Sequence, residues 1–268
     1  MTVELAYELC GRLASVWVIV GAAEGLVALG EYRDSGVYDA RIAVVDGGPA
    51  LVASMRSAAS GAPAIAGTYV MRLAAGATLL LAPWSTGLAA GAWGTTALSA
   101  LFLEWRRQYG DDGGDQMLTI MSTAFTIALL LSFARHALAL GLYFMGAQAC
   151  LAYVIAGVAK LRGEEWRKGI ATERIFSTRT YGAPGVAALL RRRPALARAM
   201  CWGTIAFEAS FVLAPFLPLP GLLALLAVAA SFHVGSAAIM GLNGFLWAFV
   251  ATYPAIVFLN QAVTGHLL

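Results

Sequence analysis

The sequence predicts an all-α integral membrane protein, a polytopic bundle of about eight transmembrane helices, and three observations carry that prediction. Of its 268 residues, 60% are hydrophobic and only 12% are charged, a balance far from that of soluble globular domains. Its mean hydropathy is +0.74. The apolar residues also run in stretches of about 17–25, the length that crosses a hydrocarbon core, and short breaks rich in charge, glycine or proline separate them. The whole of 1–268 reads as one transmembrane domain with extramembrane loops near 31–67 and 161–194. The net charge of +3 is small and its cations lie mostly in loops, so nucleic acid is not an expected partner and membrane lipid is. Cys10, Cys150 and Cys201 sit in or beside apolar runs without C-x-x-C spacing, and read as small buried residues. No metal is expected.

The first apolar segment, Met1–Gly30, is interrupted by Glu4, Glu8, Arg12 and Glu24. It lacks the basic start and clean cleavage site of a signal peptide, so it is expected to remain as a helix. Arg12 and Glu24 stand roughly 18 Å apart along such a helix, and each needs a partner in the bundle. Glu31–Gly67 turns polar and glycine-rich, with a short amphipathic helix expected at Pro49–Ser57 after the Gly47-Gly48 break. Thr68–Trp84 and Leu88–Trp105 then form a hairpin of two spans around Ser85-Thr86-Gly87, which brings Arg72 and Glu104 near one membrane face. Arg106–Gln116 has the acidity of a calcium loop but neither its ligand spacing nor its closing glutamate, and reads as a solvated connector.

Met117–Ala134 is the expected fourth span and Ala137–Lys160 the fifth, with a break at Arg135-His136. The loop that follows, Leu161 to about Pro194, carries the densest charge in the chain, including Arg191-Arg192-Arg193, and is expected along the membrane surface. Ala195–Phe216 is the sixth span, stopped by Pro215, Pro218 and Pro220. Gly221–Met240 is the seventh and Asn243–Val263 the eighth. The loops after spans one, three and five hold nearly all the loop lysine and arginine, so the positive-inside rule places them in the cytoplasm and both termini outside.

The candidate site centres on QACLAYVIAGVAKLRGEEW, Gln148–Trp166. On a helix Tyr153, Gly157 and Lys160 fall at i, i+4 and i+7 and share one face. Small residues at Ala149, Ala152, Ala156 and Gly157 let neighbouring helices approach that backbone. Two readings of Lys160 stand side by side. It is a cation snorkelling from a helix end to the headgroups, or a partly buried amine that is neutral often enough to accept a proton. Glu208 and His233 lie inside the sixth and seventh spans and are costly in lipid unless they face the interior. A common interior cavity is expected for them, with Arg12 or Arg72 near the carboxylate. The bland alternatives are an ion pair with an embedded arginine for Glu208 and a bond to a backbone carbonyl for His233.

The stretch YVIAGVAKLRGEEWRKG, Tyr153–Gly169, resembles the tyrosine, alanine-glycine, lysine-leucine and tryptophan signature of the vitamin K-dependent gamma-carboxylase superfamily. FHVGSAAIMGLNGFLWAFVATYPAI, Phe232–Ile256, is similar to that superfamily's histidine-containing helix pair. YRDSGV at Tyr32–Val37 and FEASFVLAPFL at Phe207–Leu217 fit its bacterial branch, the horizontally transferred transmembrane domain. GGDQ at Gly113–Gln116 resembles the sub-branch that contains sporulation-delaying protein B, a maturation factor for a secreted peptide toxin.

The resemblance implies a membrane enzyme-like factor of a bacterial cytoplasmic membrane that binds a quinone or hydroquinone and modifies or matures a peptide. Lys160 falls on the base that deprotonates vitamin K hydroquinone in the carboxylases, and His233 falls on the helix histidine, the second candidate catalytic residue. Tyr153, Gly157, Trp166 and Glu208 are the candidates for holding the quinol. A small secreted peptide as substrate and a co-encoded maturation protein are the implied partners. Up to Leu268 there is no counterpart of the large extramembrane part with which the animal enzyme holds its protein substrate. The residues before the fifth span also do not reproduce the carboxylase's other histidine region. What carries over is therefore a quinone-sized apolar pocket near Lys160, and not glutamate carboxylation as such. The other reading is a non-catalytic membrane partner for maturation, export or immunity of a small secreted peptide toxin, with Lys160 structural.

Overall fold

The computed structural model describes residues 1–32, 36, 38, 61–107 and 113–265. Every regular element among them is helical, as a bilayer requires of a chain that must satisfy its backbone polar groups within each segment. Residues 108–112 of the connector Arg106–Gln116, four of the six residues of YRDSGV and the expected helix at Pro49–Ser57 lie outside the described residues. Twelve α-helices are described: α1 Val3–Val27, α2 Ala62–Leu81, α3 Thr86–Arg107, α4 Gly113–Leu130, α5 Ala137–Arg162, α6 Glu164–Lys168, α7 Ala171–Phe176, α8 Pro184–Arg192, α9 Pro194–Ala209, α10 Leu219–Met240, α11 Asn243–Val250 and α12 Tyr253–Val263. A 3-10 turn, Ala28–Tyr32, continues α1, and another, Ser210–Phe216, continues α9.

Among the described residues seven helical stretches are long and apolar enough to span a membrane: Val3–Tyr32, Ala62–Leu81, Thr86–Arg106, Ala137–Arg162, Pro194–Phe216, Leu219–Met240 and Asn243–Val263. The chain is thus an integral membrane protein by length and composition. The remaining expected span is α4, which has 18 residues and opens on the polar Gly113–Gln116. The ammonium of Met1 donates to the side-chain oxygen of Gln261 at 2.9 Å, which sets the amino terminus beside the end of the last span. The helix α4 is not among the seven stretches that are long and apolar enough to span.

Several boundaries differ from those expected. The second span begins at Ala62 and not Thr68, because Gly61 is extended and Pro63 occupies the first turn, where its missing N–H costs nothing. It stops at Leu81 because Pro83 disfavours helical backbone in the residue before it. Gly113–Gln116 belongs to α4 and not to the connector. The break before α5 falls where expected, with His136 in the left-handed region at φ 71. The last span is two helices with a turn at Ala251-Thr252, ahead of Pro254.

The described residues form two compact units, Tyr7–Gly141 and Met1–Ala6 with Leu142–Leu268. In the first, Tyr7, Trp93 and Phe125 pack ring on ring, with centroids 4.5 Å apart for Tyr7–Phe125 and 5.2 Å for Trp93–Phe125. Arg12 finds its partner one turn back in Glu8. Arg72 is buried and donates to the Ser99 hydroxyl at 3.4 Å. Glu24, Arg72 and Glu104 line one cavity of about 230 Å³ with Tyr32, Tyr38 and Tyr69. The second unit carries all six candidate site residues.

Candidate functional site

Glycine decides how the site closes. A Cβ at Gly157 of α5 would stand 2.7 Å from the Ala209 backbone nitrogen and 3.1 Å from Glu208 Cβ, closer than real carbons approach, so α5 and α9 touch backbone to backbone there. One turn further along α5, Lys160 reaches across this contact. Its ammonium donates to both carboxylate oxygens of Glu208, at 2.8 and 2.7 Å. Glu208 has a side chain only 5% exposed and Lys160 22%, so the amine is turned into the unit and not out to the headgroups. The expected arginine partner of Glu208 is replaced by this lysine, because the bare Gly157 backbone brings the nearer cation within reach. The ammonium also stands 5.3 Å from the ring centroid of Trp166 on α6, a cation–π distance.

One turn the other way, Tyr153 is 3% exposed and its hydroxyl lies 2.6 Å from His233 Nε2 and 3.3 Å from the Tyr253 hydroxyl. Its ring stacks on Phe211 with centroids 3.8 Å apart and planes 14° apart, and Phe207 and Phe249 meet it edge-on. His233 is fully buried and its bond is to a phenol, not a backbone carbonyl. Its Nδ1 has no hydrogen-bond partner among the described residues.

A cavity of about 610 Å³ opens beside the ion pair, within the range of ligand pockets. Lys160, Trp166, Ile175, Phe207, Phe232 and Phe245 are among its walls. Its hydroxyls are spent on backbone: Thr204 donates to Met200, Ser231 to Ala227 and Ser236 to Phe232 at 2.8–3.0 Å, and Thr172 to Ala197 at 3.3 Å. The side-chain donors left are the third N–H of Lys160 and the indole N–H of Trp166. The cavity is thus apolar along its length and polar at one end.

Of the six candidates, Lys160 and Trp166 stand in the cavity wall. Tyr153, Gly157, Glu208 and His233 stand behind it, Tyr153 and His233 one aromatic layer back, against Phe207 and Phe232. Glu208 and His233 therefore do not share one cavity as expected. Comparison with known protein families, with curated proteins and with solved structures finds no match for this chain. Among the described residues no three His, Cys, Asp or Glu side chains gather to hold a metal ion. Sequence reasoning missed Tyr253 and the phenylalanines that box Tyr153. The trace they leave is aromatic residues at one-turn spacing, Phe207 with Phe211 and Phe245 with Phe249, which is equally the mark of an ordinary membrane helix.

Proposed function

We propose that the chain is a membrane enzyme-like factor that holds a lipid-soluble quinol in the cavity beside Lys160 and uses it to modify or mature a peptide. The observation that carries this reading is the cavity's chemistry: apolar walls, hydroxyls turned to their own backbones, and donors left only at the Lys160–Trp166 end. A ligand with a long apolar body and one polar ring end matches that distribution. Lys160 and Trp166 would meet the ring oxygen and Phe207, Phe232 and Phe245 would flank the body. When bound, such a quinol supplies with oxygen a base strong enough to take a carbon-bound proton. Lys160, once one of its protons has passed to Glu208 across the 2.8 Å contact, serves as general base and takes up the proton that the quinol gives. Tyr153 and His233 position the wall from behind.

The test is mass spectrometry of lipid extracted from purified protein. A quinone near one equivalent is expected, and it should be lost in Gly235→Trp, which builds an indole into the cavity at a position where a Cβ meets nothing within 4 Å. Lys160→Arg should keep the bound lipid and the fold while activity on the peptide is lost, because a guanidinium cannot act as a general base. Protein free of quinone, or full activity in a well-folded Lys160→Arg that binds the peptide stably, overturns the reading in favour of the non-catalytic partner.

A further inference from the structure

The segment Gly163–Arg193 leaves the membrane-spanning α5 and returns into the membrane-spanning α9, so it lies at headgroup level. From Arg162 to Arg198 the chain places nine of its 18 lysines and arginines but only three of its 15 acidic residues, a net +6 in a chain of net +3. The three carboxylates are all engaged, Glu164 with Lys168, Glu165 with Arg174 and Glu173 with Arg191. Arg162, Arg167, Arg179, Arg192, Arg193 and Arg198 are exposed and make no ion pair among the described residues. The apolar edge of α8, Ala187 and Leu190, is already covered by Phe176 and Ala197, which fastens the helix to its own unit and leaves Arg192 and Arg193 outward. Large apolar side chains stand exposed beside those arginines in sequence: Tyr181, Leu189 and Leu196.

We propose that this segment is a binding surface for anionic phospholipid headgroups. Guanidinium forks match phosphate oxygens two bonds at a time, and a cationic surface close to a membrane is drawn to its anionic lipids. Tyr181, Leu189 and Leu196 then sit at the boundary with the acyl chains, where exposed apolar side chains among cations lose water. An acidic peptide would satisfy the arginines but would leave these three side chains in water, which is why lipid is the better match.

The experiment follows thermal unfolding of the full chain in nanodiscs of phosphatidylcholine, alone or with phosphatidylglycerol. The wild type should gain stability from phosphatidylglycerol, with the gain shrinking at high salt. In Arg179→Gln/Arg192→Gln/Arg193→Gln, apparent affinity for phosphatidylglycerol should fall on the order of tenfold to a hundredfold, with unchanged unfolding in phosphatidylcholine. Arg191 is left intact because it braces Glu173. The matching triple Arg→Lys variant, which keeps the charge but loses the two-bond fork, should fall between the wild type and the glutamine variant. An equal gain in the glutamine variant, or a gain from soluble polyglutamate with none from phosphatidylglycerol, overturns the proposal. The result is independent of whether the cavity holds a quinol.

Discussion

Lys160 and Glu208 form a pair whose members are worth more together than apart. Glu208 is almost wholly buried and both its oxygens point at one ammonium, so removing the cation strands a carboxylate in an apolar interior. Lys160→Met should therefore cost about 3–5 kcal/mol of stability. Adding Glu208→Gln to Lys160→Met should return much of that loss, since a neutral amide needs no counter-ion. Unfolding in detergent measures both, and a double variant no more stable than Lys160→Met would mean that the pair is not the source of the cost. Glu208→Lys should be worse tolerated than Glu208→Gln, because it sets two ammonium groups in one apolar pocket; equal expression and stability of the two would contradict the burial argument.

At the scale of the helix, the contact of α5 with α9 rests on an absent side chain. Gly157→Ala places a methyl against backbone atoms of Ala209, which cannot rotate away, so the helices must separate at a cost of about 1–3 kcal/mol. Gly203→Ala, also in α9 but with nothing within 4 Å of the added carbon, should be close to neutral and serves as the control. Parallel thermal melts decide this, and an equal response at both glycines would refute the close approach. The end of the α9 span depends on one side chain of the last span. Asn260 donates to the carbonyls of Ala214 and Leu217, both at 2.9 Å, in the turn where Pro215 interrupts the helix. Asn260→Leu leaves buried acceptors unpaired and should cost about 1–3 kcal/mol, read as a lower melting temperature.

Across the whole molecule, orientation follows from charge and from counting crossings. Three spans separate Ser177 from Thr264, so the two residues face opposite sides of the membrane. With the basic segment held in the cytoplasm, a cysteine at Thr264 should react with a membrane-impermeant maleimide on intact cells and one at Ser177 should react only after lysis. The buried Cys10, Cys150 and Cys201 should stay silent in both cases. Labelling at Ser177 alone would reverse the orientation.

Hydropathy alone determined that this is a helical membrane protein, and it placed most spans within a few residues. Burial of apolar length in lipid is a local property that composition reports directly. The one-face alignment of Tyr153, Gly157 and Lys160 was equally legible, because helical period fixes it. The sequence could not say which cation meets Glu208, since an arginine or a lysine satisfies a buried carboxylate equally well on paper. Nor could it separate Lys160 and Trp166 in the cavity wall from Tyr153 and His233 one aromatic layer behind. Those choices belong to the tertiary structure, because they turn on how closely α5 and α9 approach at Gly157, a distance set by packing between segments some fifty residues apart.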